Sequence, residues 1–162
     1  MIVVPDAGPL IYLAGAGQLE LLTRLYVKVV VPRVVYEEVT IAGRGLTGSA
    51  EVATASWIQV VDRESDPALT ARLDRGEAAA IPLALELRAV LLVDDGAARL
   101  VATEFGLSVI GSLGVLVAAK RSGHIDELAP VLDRMVALGM FVSPTLRARV
   151  LMLAGEDETG KA

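Results

Sequence analysis

The chain has no cysteine, and only 4% of its 162 residues are aromatic. The first absence excludes disulfides, thiolate metal sites and thiol nucleophiles. The second means that a core must be built from Val, Leu, Ile and Ala rather than from stacked rings, which suits a buried parallel sheet wrapped by helices. Histidine is nearly missing too. His124 stands alone in a Ser122-Gly123-His124 turn, where a surface position is expected and no Ser-His-Asp set can be assembled around it. Nor is there a surplus of basic charge: a formal net charge of −5 argues against nucleic-acid binding through a generally basic surface, while leaving room for a local basic patch. Long apolar runs are absent as well. Mean hydropathy is high at +0.57, yet a segment such as Val109 to Ala119 stops well short of the roughly 18 residues that span a bilayer, so no membrane partner is expected. Pro5 and Asp6 interrupt Met1 to Val4 before any leader pattern develops, and a cytoplasmic location is the default expectation. Gly111-Ser112-Leu113-Gly114 matches neither a Walker loop nor a dinucleotide fingerprint.

What the chain does have is aliphatic surface: 54% of its residues are hydrophobic. Its length fits one domain with a sizeable core, expected over residues 1–155 with 156–162 as a frayed tail. The surplus apolar surface is expected to form an oligomer interface. Runs of β-branched residues predict strands at the Ile2-Val3-Val4 run that delivers Asp6 to its carboxyl end, Val27 to Val31, Trp57 to Val61 (at an edge), Ala89 to Val93 and Leu107 to Ile110. Between and after them, helices are expected over Pro9–Ala14, Gln18–Tyr26, Pro32–Ala42, about Leu73–Arg88, Ala97–Phe105, Ser112–Arg121 and Asp126–Leu138, with a last one capped by Ser143 and ending near Gly155. Pro82 should kink the helix that contains it or shift its start. The glycine-rich stretch Gly43 to Ser49, carrying Arg44, reads as a mobile loop that contacts substrate. Strands alternating with helices indicate an α/β fold with a parallel sheet.

Four places carry acids that could do chemistry: Asp6, the pair Glu37 and Glu38, Glu77, and the pair Asp94 and Asp95. Each has an ordinary explanation. Asp6, Asp94 or Asp95 could cap the helix that follows, Glu77 could complement a helix dipole, and Glu37 and Glu38 could be a solvated helix face. Two of these places end buried strands, however, and two lie near helix starts that can open at the same sheet edge, where open α/β sheets bind ligands. Converging carboxylates need a cation, and an oxygen-only set selects Mg²⁺ or Mn²⁺. A phosphoacceptor receiver domain would also use strand-end aspartates, but it carries its acidic pair after the first strand, where Asp6 here stands alone.

Taken together, Asp6-Ala7-Gly8-Pro9-Leu10-Ile11, Val31-Pro32 through Val35-Tyr36-Glu37-Glu38-Val39, Gly76-Glu77-Ala78, Val93-Asp94-Asp95 with Arg99, and Val109 through Leu116 resemble a PIN domain of the DUF3368 branch. The resemblance implies a three-layer α/β/α fold with a central parallel sheet. It implies a Mg²⁺- or Mn²⁺-dependent ribonuclease, in many relatives the toxin of a toxin–antitoxin pair, with RNA as substrate, an antitoxin protein as partner, and homodimers. Carried over by position, it makes Asp6 the first acid, Glu38 the second because it directly precedes the apolar Val39, and Glu77 the third. Asp95 best matches the last, with Asp94 next. The implied catalytic set is therefore Asp6, Glu38, Glu77 and Asp95, the metal set Asp6, Glu77, Asp94 and Asp95, and the substrate contacts Arg33, Arg44 and Ser112. A catalytically weak binding module of the same fold is the alternative. Ala7-Gly8 stands where the commoner pattern has Thr or Ser after the first acid.

Overall fold

A computed structural model describes residues 1–157. Five strands form one fully parallel sheet: β1 (Ile2–Pro5), β2 (Lys28–Pro32), β3 (Ile58–Val61), β4 (Val90–Leu92) and β5 (Val109–Ile110), in the order β3-β2-β1-β4-β5. The first half of the chain builds outward from β1 in one direction and the second half in the other. β1 and β4 are thus the pair between which the sheet changes direction, and ligands bind outside the carboxyl ends of such a pair.

The unbroken apolar runs are explained by burial on both faces. Val3, Val29, Val31 and Leu92 point into one core, shared with α1 (Ala7–Gly15), α2 (Leu21–Leu25), α7 (Ser112–Arg121), α8 (Ala129–Ala137) and α9 (Pro144–Leu153). Their neighbours Val4, Val30, Leu91 and Val93 point into the other, covered by α5 (Arg75–Leu87) and α6 (Gly96–Glu104). This alternation is the period-two pleat at work, and it gives the three-layer α/β/α arrangement. No helix among the described residues is long and apolar enough to cross a membrane.

Several local expectations are corrected. Pro32 ends β2 and precedes α3 (Arg33–Glu37) instead of opening it; α3 then passes into a π-helical turn, Glu38–Ala42. Gly43 to Ser49 is not loop throughout: Gly48 and Ser49 are buried and lead into a further short helix, α4 (Ser49–Thr54), packed on α1. Gly48 has φ +87°, and a Cβ there would lie 3.0 Å from the Ile11 carbonyl oxygen, so glycine is what lets α4 approach α1. α8 starts three residues later than its pattern suggests. Its first amides, Leu128 and Ala129, donate to the carboxylate of Glu156, which also pairs with Lys120. Glu156, expected to open the frayed tail, is therefore fixed; 158–162 lie outside the described residues.

α5 runs unbroken from Arg75 to Leu87 through Pro82. Proline has no N–H to offer the carbonyl one turn earlier, that of Ala78. The Asp66 amide donates to that carbonyl instead, at 3.0 Å.

Candidate metal centre

Asp6 stands at the end of the central strand, its amide continuing the ladder to the Leu92 carbonyl at 2.9 Å. It occupies the N-cap position of α1 but makes no side-chain capping bond. The residue is buried, and its Oδ1 is the buried side-chain oxygen left without a hydrogen bond among the described residues. Capping therefore does not account for this carboxylate.

α5 brings the next two acids to it. Asp74 and Glu77 form a reciprocal capping box: the Glu77 amide donates to Asp74 Oδ1 at 2.8 Å, and the Asp74 amide to Glu77 Oε2 at 3.2 Å. The box fixes one oxygen of each carboxylate. Asp6, Asp74 and Glu77 offer oxygens that all lie within 4.8 Å of one another. Asp74 was not among the acids expected from the sequence, although its spacing to Glu77, Asp-x-x-Glu, is a capping-box signature that marks the position.

Glu38, at the start of the π turn, closes the site from the other side. A Cβ added at Gly76 would lie 3.2 Å from Glu38 Oε2 and 3.3 Å from Asp6 Oδ1, so the missing side chain is what leaves room between these oxygens. π turns inside helices often mark functional positions. Glu37, one residue earlier, is exposed and borders the groove described below.

Burial raises the Asp6 carboxyl from 3.8 to about 7; the Ala7 amide offsets part of this, and the charges of Asp74, Glu77 and Glu38 add to it. Burial also raises Glu77, with Asp74, Asp95 and Glu38 contributing against the relief from the Asp74 amide. Glu38 is raised by desolvation and then by Asp74. Four carboxylates strain against one another here, and an unpartnered buried oxygen, a glycine-made gap and an all-oxygen donor set fit a hard divalent cation.

The strand-end pair divides. Asp95 caps α6, accepting from the Ala98 amide at 3.0 Å, and its charge reaches Glu77. Asp94 turns the other way. Its Oδ1 accepts from the Ser112 amide at 2.7 Å and its Oδ2 from the Ser112 hydroxyl at 2.6 Å. Both oxygens accept at the start of α7, and Asp94, expected as a metal ligand, is not among the acids whose oxygens gather with Asp6. Ser112, expected as a substrate contact, is fully buried with its hydroxyl donating to Asp94.

Beside the cluster lies an open groove of about 1210 Å³, bordered by Glu38, Asp74 and Gly76 and lined by Arg33, Arg63 and Arg75. Arg33 thus stands where a substrate contact was expected, although it is paired with Asp62. Arg44 is exposed just beyond Ala42, where the groove lining ends, and is not part of it. His124 lines a separate pocket between α2 and α8.

Comparison with known proteins bears on the fold and the family. No curated protein matches the chain. Among solved structures, a PilT N-terminus domain protein from the hyperthermophilic archaeon Sulfolobus solfataricus P2 superposes with a TM-score of 0.55 at 21% identity, covering 74% of this chain and 93% of that one. That likeness shows the fold. Residues 2–156 match the DUF3368 family, a PIN domain. The chain, with its parallel sheet and its acids gathered beyond β1, belongs to the PIN-domain family DUF3368.

Proposed function

We propose that the protein is a Mg²⁺- or Mn²⁺-dependent ribonuclease that hydrolyses single-stranded RNA. The observation that carries this reading is the unpartnered, buried Asp6 Oδ1 facing Asp74 and Glu77 in a nuclease-type fold. Asp6, Asp74 and Glu77 would hold the cation, with Asp95 adding negative charge behind Glu77. When bound, such a cation supplies Lewis-acid chemistry, lowering the pKa of a water and stabilising charge on a phosphoryl oxygen.

Glu38 has a different part. It is exposed at the groove, and desolvation and then the charge of Asp74 raise its carboxyl, which makes it a better proton acceptor and suits a general base for an attacking water. In that hydrolysis the water oxygen bonds to phosphorus, the bond from phosphorus to the 3′ oxygen breaks, and the proton ends on the leaving 3′ oxygen. The ribose 2′-hydroxyl takes no part. A ribonuclease that used that hydroxyl would want histidines, and His124 is elsewhere.

Incubated with single-stranded RNA and Mn²⁺, the protein is expected to leave 5′-phosphate and 3′-hydroxyl ends, and EDTA to stop cleavage. End analysis decides the matter. Cyclic-phosphate ends, or activity that persists in EDTA, overturn the mechanism; intact RNA in every metal condition leaves the family's binding-module alternative.

The cellular role that goes with this reading is the toxin of a toxin–antitoxin pair acting in the cytoplasm, and the neighbouring reading frame, which would encode a small antitoxin, decides it. A homodimer is also expected. Large apolar side chains stand exposed, Val27 and Phe141 at 80% and 88% among them, which is costly surface for a lone domain. Light scattering at micromolar concentration should show about twice the 17.0 kDa chain mass; the single-chain mass alone would refute it.

A further inference from the structure

Three arginines line the groove, and they are not equivalent. Arg33 is paired with Asp62, and Arg63 with Glu86 at 2.5 Å. The Arg75 side chain has no ion pair or hydrogen bond among the described residues; only its carbonyl is engaged, by the Ser65 hydroxyl at 2.6 Å. Arg75 is the first residue of α5, between Asp74 of the acid cluster and Gly76. Its backbone is held firmly while its guanidinium is free and exposed.

The opposite wall of the groove is fixed to the same helix. Ser65 reaches the Arg75 carbonyl and the Asp66 amide reaches the Ala78 carbonyl, so the 62–66 segment is tied to the end of α5 that carries Asp74 and Glu77. A polyanion entering here meets Glu37, Asp62 and Glu64 on the lining and the acid cluster at the side. An acidic protein can hold such a chain only where a positive charge is not already neutralised, and in this groove that charge is Arg75. Guanidinium suits the task, because its planar fork matches two phosphate oxygens.

We propose that Arg75 is the residue that binds the RNA backbone, gripping a phosphate next to the one being cleaved and setting the register of the strand over the acids. The proposal rests on the nuclease reading above and goes beyond it, since Arg75 belongs neither to the acid cluster nor to the contacts expected from the sequence.

The test measures affinity for a fluorescein-labelled single-stranded oligouridylate across a salt series. It uses a Glu38→Gln background so that the RNA survives, with wild-type cleavage assayed alongside. Adding Arg75→Ala should weaken binding about tenfold and flatten the slope of log affinity against log salt by about 0.7, the share of one phosphate contact on a single strand. Arg75→Lys should restore most of both. Arg63→Ala, which removes an already paired charge, should change affinity less than about threefold. Mn²⁺ affinity, followed by calorimetry, should survive Arg75→Ala. An unchanged affinity and slope in Arg75→Ala, with wild type still cutting RNA, overturns the role of Arg75 and leaves the nuclease reading standing. Loss of Mn²⁺ binding in Arg75→Ala also overturns it, since the residue would then act through the end of α5. No RNA binding or cleavage by any form removes both.

Discussion

Asp6→Asn is expected to abolish Mn²⁺ binding and, without the cation, to yield a protein more stable at pH 8 than the wild type. Both effects have one cause. The carboxylate is buried, lacks a partner for Oδ1 and faces three other acids, so in the metal-free fold its charged form is disfavoured and its pKa sits near 7 instead of 3.8. Because the folded state holds this proton more tightly than the unfolded chain, the stability gained is fully present below pH 3.8 and is lost as pH rises through about 7. The whole span is on the order of 4 kcal/mol. Asparagine never ionises and escapes that loss. A divalent cation reverses the trend: it needs the deprotonated carboxylate, so Mn²⁺ affinity should climb with pH through the same window, and binding should release a proton. Denaturant melts of both proteins at pH 5 and pH 8, with and without Mn²⁺, together with calorimetric titration, check all of this. Equal Mn²⁺ binding by the two proteins would remove Asp6 from the site. Apo wild type as stable at pH 8 as at pH 5 would deny the electrostatic strain.

Asp94→Ala is expected to cost about 1–2 kcal/mol of stability while leaving Mn²⁺ affinity near wild type. Its carboxylate is the acceptor for both the amide and the hydroxyl of the fully buried Ser112, and because Asp94 itself is exposed, water can take over part of that role in the variant. Asp95→Ala, next along the chain, should behave in the opposite way. It loses a helix cap worth about 1 kcal/mol, and it removes a charge that acts on Glu77, so metal affinity should drop. Chemical denaturation and calorimetry on the two variants separate these roles. A stable Asp94→Ala that no longer binds Mn²⁺ would restore Asp94 to the metal site.

These two neighbours show how far the sequence could be read. Alternating burial in apolar runs was legible, because β-branched segments of four or five residues between helices leave few alternatives to a parallel sheet; with the sheet came the meeting of Asp6, Glu38 and Glu77. Which of Asp94 and Asp95 joins them was not legible. Successive residues leaving a strand point to opposite sides, and only the register of β4 against β1 and β5 decides which side holds the acids. Asp74 was obscured for another reason: its spacing to Glu77 spells a cap, and nothing in a linear pattern says that a capping carboxylate also offers an oxygen within 4.8 Å of one from Asp6. Ser49 to Thr54 makes too short a helix to establish a period, so the glycines before it dominated the reading. Arg44 was read as a substrate contact because it sits on a glycine-rich stretch, whereas the groove's unpaired arginine lies on the helix that carries the acids.

Pro82 joins two parts of the molecule that would otherwise fluctuate separately. By leaving the Ala78 carbonyl open, it lets the groove wall dock on the backbone of α5 itself rather than on a side chain, so the contact does not depend on the identity of residue 66. Local opening of that wall and fraying of the first turns of α5 then belong to one cooperative unit. Slow amide exchange at Asp66 is its natural readout, and a cation held by Asp74 and Glu77 would deepen that protection without touching the loop.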